Sequence, residues 1–349
     1  MPDDGDILDF RSDTITRPSA GMRQAMARAE VGDDVFGEDP TVRRLEQRAA
    51  ELCGREAALL VPSGTMANLI GLALHCQRGD EVILERRTHS FSHEVGGGAA
   101  LFGILFHPLE SADGRLLPEQ VEEAIRPVDV HQPRTRLVVV ENSINLAGGL
   151  LYPFELLRRL RQLTRQRGLG LHLDGARIFN AAVASGVEPA TWAAQVDTLS
   201  FCLSKGLGCP VGSLFVGDRE QVDQARWLRK MLGGGMRQAG IIAAAGLYAL
   251  EHNIARLAED HARARELAAG LRQCLDERFR VQPVETNMVL IHTDSAATTE
   301  TTLASWRRAG VLALAPSPTT IRLVTHLDIP AAGARQAVER ISRATREQG

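Results

Sequence analysis

Length, composition and charge set the first limits on what this chain of 349 residues can be. A chain of this size usually folds as a large and a small domain, and 44% hydrophobic residues suffice for a sizeable core. Its net charge of −3, with both signs scattered, argues against a nucleic-acid partner, and no apolar run is long enough to span a bilayer. The N-terminus lacks the basic start and apolar core of a secretion signal, so we expect a cytoplasmic protein.

The cysteines are odd in number and widely spaced. They are Cys53, Cys76, Cys202, Cys209 and Cys274, and no Cys-x-x-Cys pair occurs among them. This pattern favours reduced, buried thiols over a disulfide framework or a zinc site. We therefore expect no metal.

Short apolar runs alternate with helical patterns over the first two thirds of the chain. We predict strands at Ala57–Val61, Glu81–Leu84, Arg136–Val140, Gly170–Leu173, Thr198–Leu203 and Gly212–Val216. We predict helices between them at Thr41–Leu52, Met66–Cys76, Pro118–Ile125 and Phe154–Gln166. Strands that alternate with helices indicate βαβ crossovers and a mainly parallel sheet.

The pattern changes after about Gln238. The Ala- and Leu-rich stretch Ala239–Gln273 predicts one or two helices. Strands at Met288–His292 and Thr320–Val324 follow, around a helix near Ala297–Ala309. We therefore predict a large domain over residues 1–245 and a smaller α/β domain over residues 246–349.

The segment from Val61 to Asn68 follows a predicted strand and opens a helix. Gly64 permits close backbone approach, Ser63 and Thr65 offer hydroxyls, and free N–H groups at a helix start favour an anion such as phosphate. An ordinary helix N-cap would use the same residues. Taken alone, the segment favours the N-cap.

The segment from His172 to Arg177 ends an apolar strand in an acid, followed by a glycine. Ligands of open α/β sheets bind outside the carboxyl ends of the strands. A buried Asp174 requires a cation, and a protonated pyridine nitrogen would serve. A salt bridge to Arg177 or a helix cap explains the segment equally well.

A second strand ends shortly before Lys205, about 30 residues after Asp174. Lysine forms imines with carbonyl compounds, although a lone lysine in a loop is usually only solvated. The order of the three segments changes this balance. A phosphate anchor, a pyridinium partner and a Schiff-base lysine are together what pyridoxal 5′-phosphate (PLP) needs.

Long segments in the same order resemble the low-specificity L-threonine aldolases. This family belongs to the β-eliminating lyases within the aspartate-aminotransferase-like PLP enzymes of fold type I. The resemblance covers nearly the whole chain and is carried by Asp9–Thr14, Val31–Thr41, Ser63–Thr65, Leu171–Asn180, Cys202–Gly208 and Gly233–Gln238. It implies a large α/β domain with a mainly parallel sheet and a smaller C-terminal α/β domain. It also implies retro-aldol cleavage of L-threonine, L-allo-threonine and related β-hydroxy-α-amino acids to glycine and an aldehyde.

The resemblance also implies roles for individual residues. Lys205 would form the imine, Asp174 would face the pyridine nitrogen, and His89 would stack on the cofactor ring. Further matches are Ser63, Gly64 and Thr65 for the phosphate; Ser12, Arg177 and Arg322 for the substrate carboxylate, with Arg177 also bordering the cofactor; His131 near the β-hydroxyl; and Lys230 and Arg237, lent by a neighbouring subunit.

Several of these matches also have simple structural explanations. Arg322 could be a surface salt-bridge residue, His131 a solvated loop residue, and Lys230 part of a solvated helix face. Two positions depart from the family pattern: Phe36 replaces a tyrosine, and Ile144 replaces a histidine in Glu141–Asn145. Both changes remove a polar group.

The proposed chemistry has alternatives. The base that takes the β-hydroxyl proton is His89 or His131, and the sequence does not decide between them. β-Elimination and transamination would use the same anchoring residues. Non-catalytic PLP binding would predict loss of the imine lysine or of the carboxylate-binding groups, whereas Lys205, Arg177 and Arg322 are all present. A nicotinamide-dependent dehydrogenase is disfavoured, because the segment after the first strand lacks G-x-G-x-x-G. The resemblance further implies a homotetramer, built as a dimer of dimers with shared active sites.

Overall fold

The structure is a computed structural model that describes residues 7–346. The first six residues, on which the expected absence of a secretion signal depends in part, lie outside this range. The last three residues of the predicted small domain also lie outside it. In the described range, no helix has the length and apolar character needed to cross a membrane.

The strands fall into two main sheets. In chain order they are Leu8–Asp9 (β1), Ala57–Val61 (β2), Glu81–Glu85 (β3), Leu105–Leu109 (β4), Thr135–Glu141 (β5), Gly170–Asp174 (β6), Thr198–Cys202 (β7), Ser213–Gly217 (β8), Phe279–Val281 (β9), Met288–Thr293 (β10), Val311–Leu312 (β11), Leu314–Ser317 (β12) and Thr320–Val324 (β13).

The helices pack around these sheets. They are Ala20–Ala27 (α1), Pro40–Leu52 (α2), Gly64–His75 (α3), His89–Ser92 (α4), Gly97–Phe102 (α5), Pro118–Ala124 (α6), Phe154–Arg167 (α7), Ile178–Ser185 (α8), Pro189–Ala193 (α9), Arg219–Met231 (α10), Gly240–His252 (α11), Leu257–Cys274 (α12), Ala296–Arg308 (α13) and Gly333–Arg346 (α14). The predicted helical stretch Ala239–Gln273 is therefore two helices, α11 and α12.

The large sheet has the strand order β2-β8-β7-β6-β5-β3-β4. Among the seven strands of this sheet, β8 alone runs opposite to the others. Strands β3, β7 and β8 are buried at every position, as expected for strands covered on both faces. The carboxyl ends of β2, β3, β5, β6 and β7 consequently meet at one edge of the sheet.

Local sequence signals explain where the helices that border this edge begin. Ser63 accepts a hydrogen bond from the N–H of Met66 and caps α3. Asp39 caps α2, which has proline at its first position, by accepting from the N–H groups of Thr41 and Val42. Each cap satisfies backbone donors that have no partner inside the helix.

A second, smaller unit contains the antiparallel sheet β12-β13-β10-β9. Its core includes Trp306 and also Leu8 and Phe10 from the start of the described chain. Pairing explains this, because β1 runs parallel to β11 and the N–H of Val324 donates to the carbonyl of Phe10. The first residues therefore pack with the small unit, although the predicted division places them in the range 1–245. The predicted division at residue 245 falls inside α11.

These observations confirm the expected fold class, an α/β protein with a mainly parallel central sheet and a smaller C-terminal unit. The return of the first strand to the small unit also matters for the site. It places the segment after Phe10 between the two units.

We predict that Phe10→Ala lowers the free energy of unfolding by about 3–5 kcal/mol, because Phe10 is fully buried and its removal leaves a cavity. Urea unfolding at fixed protein concentration checks this value. Leu105→Ala, at a half-exposed position of the edge strand β4, is the control and should cost less than about 1 kcal/mol. Equal losses in the two variants would contradict the role of Phe10.

Candidate active site

Three polar residues lie in one row across the carboxyl edge of the large sheet. In the strand register Glu141 is opposite Asp174, and Asp174 is opposite Ser200. All three are at least 95% buried. Burying a carboxylate without a partner costs free energy, so Glu141 and Asp174 require hydrogen bonds or opposite charges nearby.

Asp174 is held by two donors. Its Oδ2 accepts from Asn68 Nδ2 at 2.8 Å, and its Oδ1 accepts from the N–H of Ala176 at 3.0 Å. Asn68 belongs to α3, so the helix that starts at Gly64 supplies a contact to the end of β6. Arg177 pairs with Asp13. The alternative of a salt bridge between Asp174 and Arg177 is therefore not what the structure shows.

His89 and Glu94 lie beside Asp174 and, with it, form the acidic half of the site. Glu94 Oε1 lies 2.8 Å from both Asn68 Nδ2 and His89 Nδ1. One ligand atom each of His89, Glu94 and Asp174 lie within 4.8 Å of one another. The hydrogen bond that His89 donates to Glu94 raises the pKa of His89, whereas burial raises the pKa of Glu94.

Glu141 joins this group from β5. Its Oε2 accepts from the N–H of His89 at 2.9 Å, and its Oε1 accepts from the N–H of Asn145 at 2.8 Å. Burial and the neighbouring Asp174 raise the pKa of Glu141 to about 7. Three acids crowded together favour a bound proton or a cation, so this half of the site is suited to a positively charged ring nitrogen.

Cationic side chains gather in the other half of the site. Arg177 donates to both carboxylate oxygens of Asp13, from Nε at 2.8 Å and from Nη2 at 2.6 Å. Although burial acts in the opposite direction, Arg177, Lys205 and Arg322 hold the pKa of Asp13 well below its usual range. The charges of Lys205 and Arg322 therefore lie close to this ion pair.

Arg322 has unused hydrogen-bonding capacity. Its Nη1 donates to Asn145 Oδ1 at 2.8 Å, but its buried Nε has no partner among residues 7–346. Burial, and then the charge of Arg177, lower the pKa of Arg322 to about 10, so the group is still a cation at neutral pH. Arg322 is thus buried in the site and is not a surface salt-bridge residue.

The predicted anion-binding turn lies at the same edge. Gly64, the first residue of α3, has no room for a side chain, because a Cβ there would lie 2.7 Å from Cys202 Sγ at the end of β7. Ser63 caps the helix, and the first-turn N–H groups of Gly64 and Thr65 have no partners within the helix. The N-cap interpretation is correct, and it is compatible with anion binding.

Other predicted residues lie outside this cluster within one chain. His131 precedes β5, at the opposite edge of the sheet, and its exposed ring contacts Asp129. Lys230 is exposed on α10, and the half-exposed Arg237 pairs with Asp33 at 2.9 Å. Ser12 accepts from the N–H of Thr14 and directly precedes Asp13.

The two departures from the family pattern also lie outside the cluster. The side chain of Ile144 is buried in the apolar core, where its Cγ2 would meet a Cβ on Gly114 at 2.8 Å. Phe36 is 73% exposed. Neither residue contributes a contact to the acidic cluster.

The sequence patterns assign no role to Asp13, Asn68, Glu94 or Glu141. For Glu141 a signal was present, because it ends an apolar strand as Asp174 does. Asn68 and Glu94 carry no comparable signal. Their partners lie up to 106 positions away along the chain.

Comparisons with known proteins define the family. Residues 9–296 match the model of the beta-eliminating lyases. The low-specificity L-threonine aldolase of Escherichia coli strain K12 is 47% identical over 327 residues, covering 93% of this chain and 95% of that protein. Low-specificity L-threonine aldolase 1 of Arabidopsis thaliana is 43% identical, covering 92% of each.

A solved structure shows the same fold. The threonine aldolase of Leishmania major has a TM-score of 0.84 at 22% identity, covering 96% of this chain and 99% of that one. The chain therefore belongs to the beta-eliminating lyase family and is a lyase-type enzyme. These matches confirm its resemblance to the low-specificity L-threonine aldolases.

We predict that stability without cofactor falls as the pH rises. Folded Glu141 keeps its proton up to a pKa of about 7, whereas the unfolded group releases it near 4.5. Between these values the unfolded state binds fewer protons, so the free energy of unfolding decreases with pH by roughly 3 kcal/mol. Urea unfolding of cofactor-free protein at pH 4.5 and pH 7.5 measures this loss.

In Glu141→Gln the loss between the two pH values should be smaller by about the same amount, whatever the overall stability of the variant. Glu51→Gln, at an exposed position on α2, is the control and should keep the wild-type dependence. The account of Glu141 is wrong if the Glu141→Gln variant shows the same pH dependence as the wild type.

Proposed function

We propose that this protein is a PLP-dependent aldolase that cleaves L-threonine, L-allo-threonine and related β-hydroxy-α-amino acids to glycine and an aldehyde. The observation that carries the proposal is one edge of the sheet where a buried acidic cluster around Asp174 faces a buried cationic cluster around Arg322. An amino-acid substrate on a pyridinium cofactor brings the complementary charges to both clusters. The similarity to named L-threonine aldolases supports the reaction type.

The residues fit the cofactor. Asp174 would face the pyridine nitrogen, the turn Ser63-Gly64-Thr65 would bind the phosphate, and Lys205 would hold the aldehyde carbon covalently. Glu94 Oε2 is buried without a partner in the described part of the chain, which leaves an acceptor available beside Asp174. When bound, PLP supplies the electron sink that lets the Cα–Cβ bond break.

Lysine usage supports Lys205 strongly. The chain has only two lysines, Lys205 and Lys230, against a total of 40 basic residues. Lys230 is exposed on α10, whereas Lys205 follows β7 at the carboxyl edge. The amine of Lys205 makes no hydrogen bond to residues 7–346, so it is available for covalent chemistry.

The substrate carboxylate would bind on the cationic side. Arg177 already uses two of its nitrogens on Asp13, whereas the Nε of Arg322 is unpaired. Arg322 would therefore make the main contact, with Arg177 and Ser12 beside it. A guanidinium group binds a carboxylate with geometric specificity as well as charge.

His89 is the proposed base within one chain. Glu94 accepts the proton of His89 Nδ1, which leaves Nε2 unprotonated in the neutral ring. Nε2 can then take the proton of the β-hydroxyl as the Cα–Cβ bond breaks and later return it. His131 could take part only from a neighbouring copy, because its own chain places it at the opposite edge of the sheet.

The proposal includes a homotetramer, a dimer of dimers with shared sites, and a cytoplasmic location. The exposure of Lys230, Arg237 and His131 supports shared sites, since all three are accessible to a second copy. Their roles in the family would require contact with the site of another subunit. The turn Ser63-Gly64-Thr65 offers no side-chain cation for a phosphate, and Lys230 or Arg237 would supply one.

We predict that borohydride reduction fixes the cofactor to Lys205. Lys230→Arg leaves a single lysine, and this variant should still show the visible absorption of the bound cofactor and a labelled Lys205 peptide by mass spectrometry. Lys205→Ala should lose the label and at least a thousandfold in kcat, because covalent catalysis is removed.

Aldehyde release from L-threonine, L-allo-threonine and phenylserine tests the reaction itself. Wild-type protein should form glycine and the matching aldehyde in equal amounts. Formation of a 2-oxo acid and ammonia instead would replace the aldolase proposal with β-elimination. In the wild-type protein, a borohydride-fixed label on Lys230 in place of Lys205 would reject the assignment of Lys205.

A further inference from the structure

A row of buried polar side chains continues from Asp174 to the opposite edge of the sheet. Asn68 Nδ2 lies 2.8 Å from Asp174 Oδ2, and Asn68 Oδ1 lies 3.4 Å from His172 Nε2. His172 Nδ1 lies 2.8 Å from Thr198 Oγ1, which in turn lies 2.9 Å from His75 Nε2. None of the proposed steps of the reaction uses His172, Thr198 or His75.

The absence of a side chain at Gly71 leaves room for the ring of His172. His172 and Asp174 are two residues apart on β6, so their side chains share one face of the sheet. The His172 ring packs against α3 at Gly71, where a Cβ would lie 2.5 Å from its Cε1. His172 and Thr198 are both fully buried. A polar ring enclosed in this way is costly unless both nitrogens have partners.

The orientation of Asn68 fixes the direction of the first bonds. Its amide nitrogen faces the carboxylates of Asp174 and Glu94, which accept hydrogen bonds, so its oxygen faces Ser200 and His172. Ser200 Oγ donates to that oxygen at 2.8 Å. His172 must therefore also donate to it, which places the imidazole proton on Nε2.

The remaining bonds follow from this assignment. Burial lowers the pKa of His172 to about 4 and lowers that of His75, so both rings are neutral at pH 7 and carry one N–H each. His172 Nδ1 is then an acceptor and receives the single hydroxyl proton of Thr198. Thr198 Oγ1 in turn accepts from His75 Nε2–H. Every donor points toward Asp174.

We propose that His75, Thr198, His172 and Asn68 form a one-way hydrogen-bond relay that positions the Asp174 carboxylate for the pyridine nitrogen of the cofactor. The proposal rests on the assignment of Asp174 under the proposed function. His172 and Thr198 act through Asn68 and are positioning residues. Aligned hydrogen bonds polarise one another, so the donation from Asn68 to Asp174 is strengthened by the bonds behind it.

The tautomer of His172 tests the relay without any activity measurement. Long-range ¹H–¹⁵N correlation spectra of the ¹⁵N-histidine-labelled protein distinguish a protonated Nε2 from a protonated Nδ1. We expect His172 to carry its proton on Nε2 from pH 6 to pH 8, with or without PLP. A proton on Nδ1 would overturn the proposal, because an unprotonated Nε2 would then face the oxygen of Asn68.

Thr198→Val tests the contribution of the relay to the site, and Thr198→Ser is the matched control. Valine keeps the shape of threonine but neither donates nor accepts, whereas serine keeps the hydroxyl. In Thr198→Val we expect kcat for L-threonine to fall about three- to tenfold with KM nearly unchanged, the size of one net hydrogen bond. With ¹⁵N-labelled PLP, the ring nitrogen resonance should move toward that of unprotonated pyridine.

Thr198→Ser should retain wild-type kcat and the wild-type nitrogen resonance. Equal behaviour of Thr198→Val and wild type would reject the relay, and so would equal losses in the two variants. If Thr198→Val does not fold, the tautomer measurement on the wild type still decides. Asp174→Asn distinguishes failure of the proposed role of Asp174 from failure of the relay. Full activity in Asp174→Asn would reject the role of Asp174. Loss of activity in Asp174→Asn, together with no effect of Thr198→Val, would reject the relay alone.

Discussion

The buried carboxylate of Asp174 is the constraint on which the rest of the site depends. An anion at the end of a central strand is costly unless donors and a cation compensate for it. Asn68 and the N–H of Ala176 supply the donors. Within the described chain Arg177 pairs with Asp13, so the position of the compensating cation is left for the cofactor. Asn68 reaches Asp174 because apolar residues of α3, among them Ala67 and Ile70, pack the helix against the sheet.

Hydrogen bonds connect the acidic half of the site to the cationic half. Glu141 receives the N–H of His89 with one oxygen and the N–H of Asn145 with the other. Asn145 in turn holds Arg322, which lies on β13 of the small unit. The proposed base and the proposed carboxylate-binding group are therefore tied to one buried acid. A shift of the small unit would therefore move Arg322 relative to His89, which lies on the large unit.

The sequence predicts the parts of this structure that depend on local patterns. Buried parallel strands are continuous apolar runs, and their ends located Asp174 and Lys205 without any structure. The edge strand Leu105–Leu109 was not predicted, because it contains a proline and is partly exposed. The pairing of β1 with β11 was not predicted either, because two-residue strands carry no periodic signal.

Contacts made at long range explain what was missing from the predicted site. In the sequence, Asn68 looks like an ordinary helix residue and Glu94 like an acidic residue of a loop. Only the folded structure shows that both lie close to Asp174. His131 is the opposite case, a residue that was predicted for the site but lies away from it within one chain. Its role came from the family resemblance alone, and a single chain does not bring it to the site. The assignment of Lys205, by contrast, gains from the rarity of lysine in the chain.

A crystal structure of the protein with PLP and glycine tests the central claim most directly. The account predicts an Asp174 oxygen about 2.8 Å from the pyridine nitrogen, a normal charge-assisted hydrogen-bond distance, with Asn68 still bound to Asp174. It also predicts the glycine carboxylate on Arg322 Nε. A pyridine nitrogen directed at solvent or at a neutral side chain, with Asp174 bound only to protein groups, would contradict the account.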